Sequence, residues 1–202
     1  MSTAPNRKFE LDEYLTLERH SEYKSQFYRG EIFAMPGGTK RHNLMSANVI
    51  RVLGNQLINR PCRVYSGDMK LMIEATGLVT YPDAFVACEE ERHYDQEEDV
   101  LLNPTFLVEV LSPSTESYDR GKKAAHYRKI ETLKEYVLIA QDRIEMVRFT
   151  RQSNGEWTLA EVDQPGQSLR LESIDCVLNV DEVYAKVKFG PDEETAGMPG
   201  KT

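Results

Sequence analysis

Two carboxylates and one amine hold the chemical potential of this sequence. Glu109 sits inside residues 105–112 (TFLVEVLS), a stretch otherwise apolar between its ends, rich in β-branched and aromatic residues, and flanked by Pro104 and Pro113. Such a run reads as a short, fully buried strand. A carboxylate in its middle loses hydration and costs roughly several kcal/mol unless a cation, a metal or a hydrogen-bond donor meets it. Asp83 follows Pro82 at the start of another strand candidate, and Lys123 lies on the helical stretch that follows Glu109. Two carboxylates on neighbouring strand ends can share a divalent cation, and an oxygen-rich set of this kind suits Mg²⁺ or Mn²⁺. A cation so held activates water and stabilises charge on a phosphodiester under in-line attack, while a lysine beside it neutralises charge as it develops. Each residue also has a plainer reading. Glu109 could end a sheet facing solvent or an arginine, Asp83 could cap a turn, and Lys123 could be one more surface lysine.

The elements that must position these residues follow from hydrophobic pattern. Residues 9–19 mix Phe9, Tyr14, Leu15 and Leu17 with acids, as a short helix does. Residues 26–28 and 31–34 flank Arg29-Gly30 and predict a hairpin with a two-residue turn. Met45, Val49, Leu53 and Leu57 recur every fourth residue and predict an amphipathic helix over 40–59, closed by Pro61. Strands are predicted at 63–66, 69–74 and 81–87, with Pro82 at an entry or edge position. An acidic loop at 89–103 precedes the strand around Glu109. A helix over 117–132 then leads to a buried-type strand at 135–140 and an antiparallel meander through 144–150 and 157–162. Two more β-type stretches (168–172 and 174–180) and a short helix near 181–187 complete the series. Residues 1–8 read as a loose arm and 190–202, rich in Gly, Pro and acids, as a disordered tail. No repeat or linker interrupts the chain, so residues 1–189 are expected to form one domain. The order of elements implies an α/β protein with a mixed sheet.

Composition narrows the classes. With 40% hydrophobic and 29% charged residues the chain falls among soluble globular proteins. No apolar run approaches the ~20 residues needed to span a bilayer, and no apolar core follows the first basic residues. The cytoplasm is the expected compartment. Cys62, Cys88 and Cys176 are odd in number and outside any CxxC pattern, so three thiols are expected rather than a zinc site or a disulfide framework. A net charge of −8 argues against a protein that coats nucleic acid unspecifically. Residues 89–99 hold seven acids and one arginine, −6 of that −8, so the remainder is nearly balanced and a local basic patch is compatible with it.

Pro82-Asp83, a gap of 25 residues, and then Glu109-Val110-Leu111 resembles the PD-(D/E)XK nuclease signature. Residues 108–141 (VEVLSPSTESYDRGKKAAHYRKIETLKEYVLIAQ) are similar to the Uma branch of that superfamily, a group of restriction-endonuclease-like proteins. Residues 28–38 (YRGEIFAMPGG), followed by His42 and its helix, fit that branch too, as does SGDMKL at 66–71. The likeness covers roughly residues 9–160. It implies a restriction-endonuclease-like mixed sheet flanked by helices, carrying an added antiparallel meander. One departure stands out: the signature expects lysine two residues after the glutamate, and this chain has Leu111. The resemblance implies that the lysine has moved to the following helix. Lys123 is the choice there, because Asp119, Lys123 and Tyr127 share one face at i, i+4 spacing, whereas Lys122 points about 100° away.

The resulting expectation is a Mg²⁺- or Mn²⁺-dependent endonuclease that hydrolyses DNA phosphodiesters. Asp83, Glu109 and the Val110 carbonyl would hold the metal and Lys123 would orient the attacking water. Glu31, at the hairpin turn, resembles an extra acid that some members add. Asp68 is better suited to a turn. His42 and His126, lone and helical, are read as ligands of nothing. The basic cluster Arg120, Lys122, Lys123, His126, Arg128 and Lys129 is either a solvated helix face or a phosphate-receiving one. A homodimer would suit two cuts in a duplex. The alternative is a catalytically inactive nuclease-fold domain that acts as a binding or regulatory module, for which acidity and Leu111 speak. No GxSxG, P-loop, GxGxxG after a strand or HExxH supports other enzymes, and a glycosidase would leave Lys123 idle.

Overall fold

A computed structural model describes residues 7–190; the ends of the expected arm (1–6) and tail (191–202) lie outside the described residues. The fold is mixed α/β, as the order of elements implies, with three sheets among the described residues. Helix α1 (Leu11–Arg19) precedes the hairpin β1 (Ser25–Tyr28) and β2 (Glu31–Ala34). Arg29 and Gly30 both adopt left-handed φ values, 50° and 80°, as a two-residue hairpin turn demands. Helix α2 (Lys40–Leu57) starts at Thr39, whose hydroxyl accepts from the His42 N–H, and buries Met45, Val49, Leu53 and Leu57 along the expected stripe.

Strands β3 (Arg63–Ser66), β6 (Ala84–Ala87), β8 (Phe106–Leu111), β9 (Glu135–Ala140), β10 (Met146–Arg151) and β11 (Trp157–Val162) form a six-stranded sheet in the order β11-β10-β9-β8-β6-β3. Its β9-β10-β11 limb is the expected antiparallel meander. The parallel pair β8–β9 is bridged by helical turns α3 (Glu116–Tyr118), a π turn (Asp119–Lys123) and α4 (Ala124–Tyr127). Strands β4 (Lys70–Ile73), β5 (Leu78–Thr80) and β7 (Val100–Leu101) complete a five-stranded sheet, β2-β1-β5-β4-β7. Strands β12 (Ser168–Leu171) and β13 (Cys176–Asn179) pair separately, followed by α5 (Val180–Val183).

Alternation along the central strands sorts the core into layers. Ala84, Val86, Phe106, Val108 and Val110 pack with α2, β12, β13 and α5 on one face. Phe85, Leu107 and Leu111 pack on the other face, with Ala124 and Tyr127 of the bridging turns and Leu71, Ile73 and Leu78 of the second sheet. A smaller cluster of Tyr14, Leu15, Phe27, Val79 and Val100 seats α1.

The structure corrects several expectations. The helix expected over 117–132 ends at Tyr127 and contains the π turn, where Gly121 faces open space. The strand expected over 81–87 begins only at Ala84. Residues 78–80 form a separate strand, and Pro82, lacking an N–H, lies in the connection between them. The acidic loop is not unstructured: Val100–Leu101 runs parallel to β4. Its acids are partly spent internally, Arg19 on Asp95 and Asp99, Lys70 on Asp99, and the Tyr65 hydroxyl on Glu91. Cys62 and Cys88 form a disulfide rather than two thiols. Pairing of Arg63 with Ala87 continues by one residue to set Cys62 opposite Cys88, with Cα atoms 3.9 Å apart. A separation of 26 residues hides that register in the sequence. Cys176 is a buried free thiol, as expected. Among the described residues no helix is long and apolar enough to cross a membrane.

Asp99 ties α1 to β4. Hydrogen bonds from Arg19, then Lys70, hold its carboxyl down at about 2. A depressed carboxylate stabilises the fold fully above its unfolded value, near 4, and loses that contribution as pH falls toward 2. Thermal melts between pH 6 and 2 should therefore show Asp99→Asn destabilised by about 1–2 kcal/mol at pH 6, some 2–8 °C, with the gap to wild type closing toward pH 2. A gap that is constant with pH would remove the ion-pair assignment.

Candidate active site

Strand register brings the two carboxylates together. Strands β6 and β8 pair Ala84 with Val108 and Phe85 with Leu107, and one further step sets Asp83 opposite Glu109. Like charges placed directly across a sheet repel, so both groups need donors. Asp83 Oδ2 accepts the Val110 N–H at 2.7 Å, and Oδ1 lies 3.1 Å from His42 Nε2. Glu109 Oε1 accepts from Lys123 Nζ at 2.7 Å and from the Tyr127 hydroxyl, while among the described residues Oε2 has no hydrogen-bond partner. Lys123 Nζ also lies 3.7 Å from Asp119 Oδ1.

The local structure explains why the amine arrives from a helix. Glu109 and Leu111 share one face of β8, and that face is covered by the bridging turns through Ala124 and Tyr127. Position 111 is 2% exposed, closed in by apolar side chains where an ammonium would lack water. Lys123, one residue before Ala124, reaches Glu109 from above and is itself only 4% exposed. The Leu111 carbonyl accepts from Gln141 on the β9 side. The N–H and C=O of one strand residue leave by the same edge, so the Val110 carbonyl follows its N–H toward Asp83.

Burial dominates the electrostatics. It pushes the Glu109 carboxyl above the usual carboxylate range; Lys123 opposes this, and the charges of Asp83 and Asp119 add to it. Burial raises Asp119 as well. Lys123 is pulled down by burial, but Glu109 and Asp119 outweigh that and hold it above the ordinary lysine value. His42 is likewise lowered by burial and raised, by a larger sum, through Asp83 and the carboxylates behind it. Three carboxylates thus face one amine at the wall of a cavity of about 750 Å³. Among the described residues no group of three or more His, Cys, Asp or Glu side chains forms a ready-made metal cage. The donor set instead fits Mg²⁺, which binds through one or two carboxylates and keeps several waters. Asp83, the free oxygen of Glu109 and the Val110 carbonyl are the atoms available for it.

The other expected residues fall elsewhere. Glu31 is not brought to this cavity; it stays at the hairpin turn, half-exposed, paired with Lys8. Asp68 occupies the turn closed by the Met69 N–H on the Ser66 carbonyl and pairs with Lys24 at the cavity rim. Lys122 is exposed, and His126 bonds Thr76 away from the site. The basic cluster is split: Arg120 is tied to Glu116 and Glu145, and Lys123 is buried. His42 is the residue that sequence reasoning passed over. Its signals were its place in the first turn of the helix that follows Pro36-Gly37-Gly38-Thr39 and its position after the run 28–38 that carries the family resemblance.

Comparison with known proteins agrees with this architecture. A family model described as "Uma2: Putative restriction endonuclease" matches residues 11–181. Two proteins of Synechocystis sp. (strain ATCC 27184 / PCC 6803 / Kazusa) are each 32% identical: "Uncharacterized protein slr1290" over 93% of this chain and 97% of its own, and "Uncharacterized protein sll1609" over 80% and 92%. The fold is similar to a crystal structure of "a putative nuclease belonging to DUF820 from Anabaena variabilis ATCC 29413", with a TM-score of 0.71 at 19% identity, covering 88% of this chain and 98% of that one.

Lys123→Met removes the cation that touches Glu109 and should cost about 3–5 kcal/mol in urea denaturation, because it strands a buried carboxylate. Combining it with Glu109→Gln should recover most of that loss. A single-variant cost under about 1 kcal/mol would mean that Glu109 is satisfied without Lys123.

Proposed function

The chain belongs to the Uma2 family of restriction-endonuclease-like proteins, and from that premise we propose that it is a Mg²⁺- or Mn²⁺-dependent endonuclease that hydrolyses DNA phosphodiester bonds. The observation that carries the reading is the opposition of Asp83 and Glu109 across β6 and β8, with one buried amine, Lys123, 2.7 Å from Glu109. Asp83, Glu109 and the Val110 carbonyl would hold the cation; when bound, it polarises the scissile phosphate and acidifies water. Asp83 is pre-set for this by its two donors, the Val110 N–H and His42. Tyr127 and Lys123 both bond Glu109 Oε1 and turn its other oxygen out as a free acceptor. The Lys123 ammonium, charged through the whole working pH range, offsets the negative charge that builds on the phosphate oxygens as water attacks phosphorus and the P–O bond breaks. Glu31 has no part in this, since its carboxylate is engaged by Lys8 outside the cavity. Two such cavities in a symmetric pair of chains would serve the two strands of a duplex.

A second reading is a nuclease-fold module that binds without cutting. It is favoured by the shortage of ready ligands among the described residues and by Lys123 being already committed to Glu109.

Nicking of supercoiled plasmid with Mg²⁺ or Mn²⁺ separates the two. Asp83→Ala, Glu109→Ala and Lys123→Ala should each lower the rate by about 100-fold or more, and Lys122→Ala should leave it within about threefold, the exposed lysine serving as control. Equal nicking by all the proteins would trace it to a contaminant. Calorimetry showing no Mn²⁺ uptake at millimolar concentration would favour the binding module.

A further inference from the structure

His42 touches Asp83 from an element that neither β6 nor β8 belongs to. Its Nε2 lies 3.1 Å from Asp83 Oδ1, and a carboxylate can only accept, so Nε2 carries the proton and donates. The other ring nitrogen, Nδ1, is buried and has no hydrogen-bond partner. What lies against it is Gly38: a Cβ built on Gly38 would stand 2.5 Å from Nδ1 and 3.0 Å from Cγ. Gly38 is not among the residues with positive φ, so its backbone does not call for glycine. The space beside the imidazole does. By contrast, a Cβ on Gly37 would meet nothing within 4 Å.

We infer that His42 is a positioning residue of the site, that Gly38 exists to admit its ring, and that the two together clamp the Asp83 carboxylate in the orientation that receives a divalent cation. The clamp takes one oxygen from α2 while the Val110 N–H takes the other from β8. A carboxylate held at both oxygens does not swing, and its outer lone pairs keep one direction. A bare Nδ1 pressed on a glycine is poor use of a polar atom for filling space, since a leucine or methionine would fill the same room without an unsatisfied nitrogen. The arrangement makes sense when the other ring nitrogen is the working end.

The inference rests on reading Asp83 as a metal ligand, and the test separates failure of one from failure of the other. In the full chain without metal, nitrogen-edited proton NMR should show a protected, downfield Nε2–H from His42 in the wild type and lose it in Asp83→Ala and Gly38→Ala. Mn²⁺ calorimetry should then show Gly38→Ala and His42→Ala weakened by about tenfold or more. The Gly38→Ala/His42→Ala double variant should be no weaker than His42→Ala alone, because both act through one contact. His42→Gln, whose amide can donate from nearly the same place, should recover affinity to within about threefold of wild type. Gly37→Ala should bind as wild type does, and melting midpoints establish that each variant is folded. Loss of the Nε2–H resonance in the wild type itself would overturn the clamp directly. Wild-type Mn²⁺ affinity in Gly38→Ala, or additive losses in the double variant, would overturn it too. A protected resonance with no Mn²⁺ uptake by the wild type would reduce His42 to a structural hydrogen bond and overturn the metal reading with it.

Discussion

The structure turns on one repulsion. Antiparallel pairing of β6 with β8 carries Asp83 opposite Glu109 at the end of a sheet whose interior is hydrocarbon. Two carboxylates in that position are tolerable only with compensation from above, below and along the strand. Lys123 and Tyr127 supply it from the bridging turns, His42 from α2, and the Val110 N–H from β8 itself. The elements on both faces of the sheet therefore converge on one point. Three carboxylates, Asp119 included, still outnumber the amine there.

That convergence explains the unusual geometry after β8. The bridging turns must cover Leu107 and Leu111 with Ala124 and Tyr127 and also aim Lys123 at a strand residue beneath. A π turn over Asp119–Lys123 widens the helix at that place, as such turns do at functional sites. Gly121, in its middle, adds no side chain to the widened turn. The acidity of the chain has a different origin. Much of it lies in the loop after β6, where Asp95, Asp99 and Glu91 are consumed by Arg19, Lys70 and Tyr65. The net charge of −8 thus describes a loop that holds α1 and β4 in place more than it describes the cavity.

Several features were legible because they are local. The hairpin turn at Arg29-Gly30, the apolar stripe of α2, the strands of the meander and the misplaced polarity of Glu109 all follow from residue type within a short window. Where reading failed, longer-range competition decided. The helix after Ser112 stops at Tyr127 because the chain must return to β9, against a propensity that would have carried it further. The strand expected from residue 81 starts only at Ala84 because Pro82 cannot join a ladder. Cys62 and Cys88 meet through a strand register that no spacing reveals.

The sequence by itself determined that a carboxylate would be buried at Glu109, and that Asp83 and a helix-borne lysine were chemically suitable company for it, because burial and residue chemistry are properties of short segments. Tertiary structure alone decided which groups surround Asp83. It added His42 and left out Glu31, since one residue's distance from another across α2, β6 and the hairpin depends on how layers pack and not on any interval along the chain.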